Sequence, residues 1–297
     1  MFVYPYALIT LFLLFIFFFF WQRNKNYFGF YWWVQCIQFI LLFSFLWVMG
    51  AWPYIGMWVR WICLVFICGW IIYKIRDRKK VKSKKISVAW CIVYILLCGI
   101  LFLGHREIYF STHTDQEIID LEFPLKNGAY IIEQGGDSRL TNLSHRYRIP
   151  DSHALDIIGL NAMGMRGKKI FSSNVQDYAI YGDTVYSPCD CSVSETGNYM
   201  EDNIPPKMET EHRAGNYVRL KSGDISILLA HMQKNSIMVK KGQQLKAGDP
   251  IGLVGNTGFS IEPHLHIQAY IKDIYGNNQV AMRFNNRLLK INDVVKN

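Results

Sequence analysis

Two hydrophobic patterns divide the chain. Before residue 105, four apolar runs follow one another, at 5–21, 31–52, 54–73 and 86–103. Three carry no charged residue, and the third carries only Arg60. Each is near the roughly 20 residues that cross a hydrocarbon core, and none has the polar stripe of a soluble core helix. The pattern predicts four transmembrane helices. From Asp120 onward the runs shorten and alternate, at 129–132, 184–187, 217–221, 225–230, 251–254 and 265–270. Turn signals such as Asn127-Gly128, Gly182-Asp183 and Gly248-Asp249-Pro250 separate them. Short alternating runs between such turns predict a mostly antiparallel β-sheet domain. The polar stretch 197–214, with Pro205-Pro206, reads as an exposed insertion. The expected organisation is a four-helix transmembrane anchor over 1–104, a linker over 105–123 and a β domain over 124–297.

Charge sharpens this division. The chain has 297 residues and a net charge of +9. Residues 1–104 hold eleven Lys/Arg and one acid, Asp77, so the whole basic excess lies in the apolar third. The remainder is near neutral and offers no basic surface, so no nucleic-acid partner is expected. The basic cluster from Lys74 to Lys85 falls between two apolar runs, which predicts a cytoplasmic loop. Arg23 and Lys25 then lie on the same side, and everything after Leu103 lies outside. Gln22-Arg23-Asn24-Lys25 follows the first run where a secretory leader would have small residues, so that run reads as a retained helix. The lipid bilayer is the expected partner of this part. Arg60 is expected to snorkel outward, with a neighbouring helix as the alternative. Five cysteines lie in the apolar runs, and Cys189 and Cys191 are the only ones beyond them. A lone C-x-C pair excludes a zinc ribbon, and residues so close bridge poorly; the pair reads as structural.

The candidate chemistry lies in the histidines. In Glu262-Pro263-His264-Leu265-His266, two imidazoles are two residues apart. On a strand such residues share a face, so both would enter one cleft while Leu265 packs behind. Imidazole is a good zinc ligand, and a catalytic zinc takes three protein ligands and keeps one position for water. An H-x-H pair alone is equally compatible with a surface or core pair. Its context narrows the choice. Asn256-Thr257-Gly258-Phe259-Ser260 precedes it, the run 225–230 ends at His231, and Asp156 offers an oxygen ligand.

Residues 124–281 resemble the lysostaphin-like zinc endopeptidases (LytM-type), which cut peptide bonds in bacterial cell walls. The likeness rests on several segments in the same order. They are Tyr181-Gly182-Asp183-Thr184-Val185-Tyr186-Ser187-Pro188, Gly215-Asn216-Tyr217-Val218, Leu229-Ala230-His231-Met232, Lys241-Gly242 through Gly248-Asp249-Pro250-Ile251-Gly252, Gly255-Asn256-Thr257-Gly258 and His264-Leu265-His266. The resemblance implies a zinc cofactor, His266 and Asp156 as zinc ligands, and His231 and His264 as imidazoles flanking the attacked carbonyl. One would take a proton from a zinc-activated water, and the other would stabilise the transition state. It also implies peptidoglycan peptides as substrate and a multi-pass protein of the bacterial cell membrane with an extracytoplasmic peptidase domain. No oligomeric state follows.

One position departs from the family. Its first histidine usually stands four residues before the aspartate, and here that residue is Ser152. His153 stands three before, which on a regular strand faces away from Asp156. Asn142-Leu143-Ser144-His145 and Ala154-Leu155-Asp156-Ile157 resemble a variant subgroup with an asparagine and a histidine upstream and "A-L-D-I" at the aspartate. His145 is therefore the expected third ligand, with His153 the alternative. His212 reads as solvated, Asn142 as a turn residue, and Arg146 and Arg148 as a solvated hairpin or a carboxylate clamp. Two other readings compete. A catalytically degenerate wall-binding or hydrolase-regulating module would tolerate Ser152. A biotinyl- or lipoyl-type carrier hairpin resembles Val239 to Gly252 alone.

Overall fold

The structure is a computed structural model that describes residues 10, 12, 13, 15, 30–77, 88–146, 153–273 and 276–297. The chain forms two compact units, Met1–Glu107 and Ile108–Asn297.

The first unit is helical. α1 spans Phe30–Met49, a short α2 spans Trp52–Ile55 and α3 spans Val59–Asp77. Gly50 and Pro53 account for the break after α1: a Cβ at Gly50 would lie 2.5 Å from the Leu46 carbonyl oxygen, and Pro53 sits in the first turn of α2. α4 spans Val88–Phe110. Four membrane helices were expected. Among the described residues one helix, α4, is long and apolar enough to cross a membrane. Over their described residues the second and third runs give the shorter apolar stretches Trp33–Met49 and Val59–Tyr73. The first run, apart from Thr10, Phe12, Leu13 and Phe15, lies outside the described residues, as does most of the basic loop. Cys36, Phe39, Phe43, Ile67 and Trp70 pack together between α1 and α3. Arg60 faces a neighbouring helix, its guanidinium 4.7 Å from the Trp47 ring centroid. Gln35 and Gln38 of α1 donate to the Tyr94 hydroxyl (3.1 Å) and to its carbonyl oxygen (2.8 Å).

The expected linker is structured. α4 continues the last apolar run to Phe110, and β1 (Ile118–Leu121) enters the sheet alongside residues 281–284. The remaining strands are β2 (Ala129–Gln134), β3 (Leu155–Leu160), β4 (Thr184–Tyr186), β5 (Cys191–Gly197), β6 (Asn216–Ser222), β7 (Ile225–Met232), β8 (Gln244–Leu245), β9 (Pro250–Leu253), β10 (Leu265–Asp273), β11 (Gly276–Phe284), β12 (Arg287–Leu288) and β13 (Val294–Lys296). The large sheet runs β13-β2-β3-β10-β7-β6-β5-β8, and β11 joins β10 to β1 and β12. β4 and β9 form a separate pair. Only the β1–β11 pairing is parallel among the described strands. Cys189 and Cys191 are joined in a disulfide, with Cα atoms 5.5 Å apart.

β10 is central. β7 lies along one edge; along the other, β3 pairs with its first residues and β11 with its last. Its alternation is strict where it matters: Leu265, Ile267 and Ala269 are buried in the core with Leu155 and Ile157 of β3 and Ile227 and Leu229 of β7. The opposite face of these three strands is left to carry polar side chains.

Candidate metal centre

Register alone brings two of the expected ligands together. His266 stands directly across from Asp156 of β3 on one side and from Ala230 of β7 on the other. Ala230 presents only a methyl group, which leaves space above the sheet for the imidazole. His266 Nδ1 lies 2.9 Å from Asp156 Oδ1.

His145 arrives by a different route. It sits on a single helical turn, α5 (Leu143–Arg146), and its Nε2 lies 3.2 Å from Asp156 Oδ1. The turn is fixed by Asn142, which is fully buried. The Asn142 amide nitrogen donates to the carbonyls of Gly136 (3.2 Å) and Ala154 (3.0 Å). These contacts orient the amide, so its oxygen faces His145 Nδ1 at 2.7 Å and accepts the ring proton. His145 Nε2 is left facing Asp156. His153 is also buried but faces elsewhere, 3.8 Å from Asp137 Oδ1, which is paired with Arg146. One potential ligand atom from each of His145, Asp156 and His266 falls within 4.8 Å of the others. Two imidazoles and one carboxylate suit zinc in an open catalytic site.

His231 and His264 complete the cluster. His231 follows Ala230 near the end of β7, and strict alternation would turn it into the core. Its backbone instead adopts a left-handed conformation, φ 64°, an uncommon state for a side-chain-bearing residue. The Thr257 carbonyl accepts from its Nδ1 at 2.8 Å. Gly258 and Gly215 permit that approach: a Cβ on Gly258 would lie 2.3 Å from the Gly215 nitrogen. His264 precedes β10, and its Nδ1 donates to the Glu262 carbonyl at 2.8 Å. Its Nε2 lies 3.6 Å from Asp156 Oδ1. The rings of His231 and His264 are 4.7 Å apart, and those of His231 and His266 are 5.7 Å apart. Because carbonyl oxygens only accept, His231 and His264 each carry hydrogen on Nδ1.

Residues 173–280 match peptidase family M23. The chain carries an M23 peptidase domain. It is similar to peptidoglycan DD-endopeptidase ShyA of Vibrio cholerae, 33% identical over 106 residues, which are 35% of this chain and 22% of that protein. It is also similar to an uncharacterized metalloprotease of Buchnera aphidicola, 41% identical over 59 residues, 20% of this chain and 15% of the relative. Among solved structures, lysostaphin from Staphylococcus simulans aligns at 23% identity over 37% of this chain and 45% of that one, with a TM-score of 0.21. The chain thus spans about a fifth of the length of the curated relatives it matches.

The M23 match contains His231, His264 and His266 but begins after His145, His153 and Asp156. Electrostatics links the two groups. Burial opposes ionisation of Asp156, yet the charges of His145 and His264 and the hydrogen bonds from His145 and His266 prevail and hold its carboxyl well below the usual range. Burial, then repulsion from His264 and His266, holds His231 well below the ordinary imidazole value. Burial likewise lowers His266 against the attraction of Asp156. Asp156 is thus held ionised, while His231 and His266 are held toward the neutral form.

Sequence reasoning undervalued the supports. Asn142, expected as a turn residue, orients His145. The Thr257 and Glu262 carbonyls fix the other two rings, a role that side-chain identity does not signal. His212 lies outside the cluster, 3.5 Å from Glu209, and is exposed as expected. Arg148 lies outside the described residues.

Proposed function

We propose that this protein is a membrane-anchored zinc metalloendopeptidase that hydrolyses peptide bonds of peptidoglycan. The observation that carries the reading is the convergence of His145, Asp156 and His266 on one point beside the rings of His231 and His264. His145, Asp156 and His266 would hold the ion. Zinc bound there would polarise the scissile carbonyl and lower the pKa of a water at its open position. Of His231 and His264, one accepts a proton at Nε2 from the attacking water and passes it to the leaving amine. The other flanks the developing oxyanion. The name of the ShyA relative makes a peptidoglycan cross-link the first substrate to test. The apolar helices support a multi-pass anchor in the bacterial cell membrane, with α4 as its last span and the peptidase domain outside.

Ser152, at the family's usual histidine position, favours a second reading, a wall-binding or hydrolase-regulating module. One experiment separates the two. The full chain is purified in detergent, its zinc content measured, and purified cell wall digested with and without chelator. One zinc per chain with chelator-sensitive release of peptides supports the enzyme, and mass spectrometry names the bond. A metal-free protein that binds wall without cleaving it supports the module. Resistance of the chain to alkaline extraction from bacterial membranes tests the anchor.

A further inference from the structure

Arg166 and Glu262 form an ion pair inside the peptidase unit, 2.9 Å from Nη2 to Oε1, with the two side chains only 3% and 8% exposed. A buried pair of this kind is a poor source of stability, because desolvating both ions offsets their attraction. Its placement points to another use. Glu262 is held at both ends. Its carboxylate is gripped by Arg166, and its own carbonyl accepts from His264 Nδ1 at 2.8 Å. The Ser260 hydroxyl lies 2.8 Å from the same carbonyl and 2.7 Å from Asn256 Oδ1. Pro263 follows, restricting the backbone of Glu262 to extended conformations. His264 itself lies one residue before β10 and has no ladder partner in that strand's register. The direction of its ring therefore depends on how residue 262 is anchored, together with the Ser260 hydroxyl, which lies 3.1 Å from the same Nδ1. Arg166 is well placed to be that anchor. Its Nη2 also donates to the Ile170 carbonyl at 2.8 Å, its guanidinium lies 5.3 Å from the Tyr178 ring centroid, and its backbone carbonyl accepts from Ala179 at 2.9 Å.

We propose that Arg166 is a positioning residue for the His264 imidazole, acting through Glu262 and so tying the 161–171 loop to the reacting centre. The inference rests on the zinc endopeptidase reading for the role of His264 and on the coordinates for the linkage.

The test uses the full chain in detergent. At full zinc occupancy, Arg166→Met lowers kcat roughly tenfold or more, the scale of a small misplacement of a reacting group, with KM within about twofold. Arg166→Lys, which restores a charge against Glu262, recovers most of that loss. Arg166→Met/Glu262→Met is no slower than Arg166→Met alone, because two residues acting through one linkage are not additive. A readout independent of turnover is the tautomer of His264 in 15N-histidine spectra, assigned with His264→Gln. It is pure Nδ1–H in the parent protein and mixed in Arg166→Met. A purely packing role would lower thermal stability and leave the tautomer and kcat of the folded fraction unchanged. That result in Arg166→Met, or in Arg166→Gln if the methionine variant does not fold, overturns the inference. A parent protein that does not hydrolyse wall refutes the function proposed above, and the tautomer comparison then decides the linkage by itself.

Discussion

The two halves of the histidine cluster are built by opposite means. Asp156 and His266 face each other because β3 and β10 pair in register, and the hydrophobic alternation of both strands fixes that register from behind. His145, His231 and His264 stand on a single helical turn, on a left-handed residue and just ahead of a strand. Their directions are set by buried polar acceptors: the Asn142 amide, the Thr257 carbonyl and the Glu262 carbonyl. The sheet-borne pair is held by many cooperative contacts, whereas each loop-borne ring depends on one or two hydrogen bonds. The first half should therefore fail only when a ligand itself is removed, and the second should also respond to changes in its supports.

The largest effect is expected for Asp156→Ala. Stoichiometric zinc should be lost, and wall hydrolysis should fall by about a thousandfold or more, since the supply of hydroxide at neutral pH goes with the metal. Elemental analysis beside an activity assay checks this, and zinc retained by the variant would break the sheet-borne assignment. His264→Ala should keep its zinc and lose activity by roughly a hundredfold or more, the usual scale for a positioned proton-transfer group. A variant that loses the metal instead would move His264 into the ligand set. Asn142→Ala should weaken zinc binding by about 10- to 100-fold, as removal of an orienting partner does, measured by competition with a chromogenic chelator. An unchanged affinity would mean that α5 holds His145 without the amide. The smallest effect is expected for His153→Ala, with zinc stoichiometry and hydrolysis both near those of the parent. Loss of zinc there would restore His153 as the ligand and overturn the comparison.

Legibility followed the same division. The runs at 129–132, 217–221, 225–230 and 265–270 are strands in the structure because alternation reports a sheet with one buried face. β3 was harder to see: Leu155, Ile157 and Ile158 are all buried around Asp156, so strict alternation breaks down and the run is short. β1 was hidden inside an expected linker because its only described pairing is with β11, far away in sequence. Among the apolar runs, length and composition identified α4. The break at Gly50 and Pro53 ends α1 at Met49, three residues before the end of the second run.

Local sequence by itself determined the apolar first third and the β character of the rest, since each is a matter of short-range periodicity. Only the tertiary structure decided which upstream histidine meets Asp156 and how His231 turns out of its strand. Those outcomes depend on the burial of Asn142 against the Gly136 and Ala154 carbonyls, and on the close approach of Gly258 to Gly215. Contacts between segments that distant form only once the chain has folded, and no local pattern encodes them.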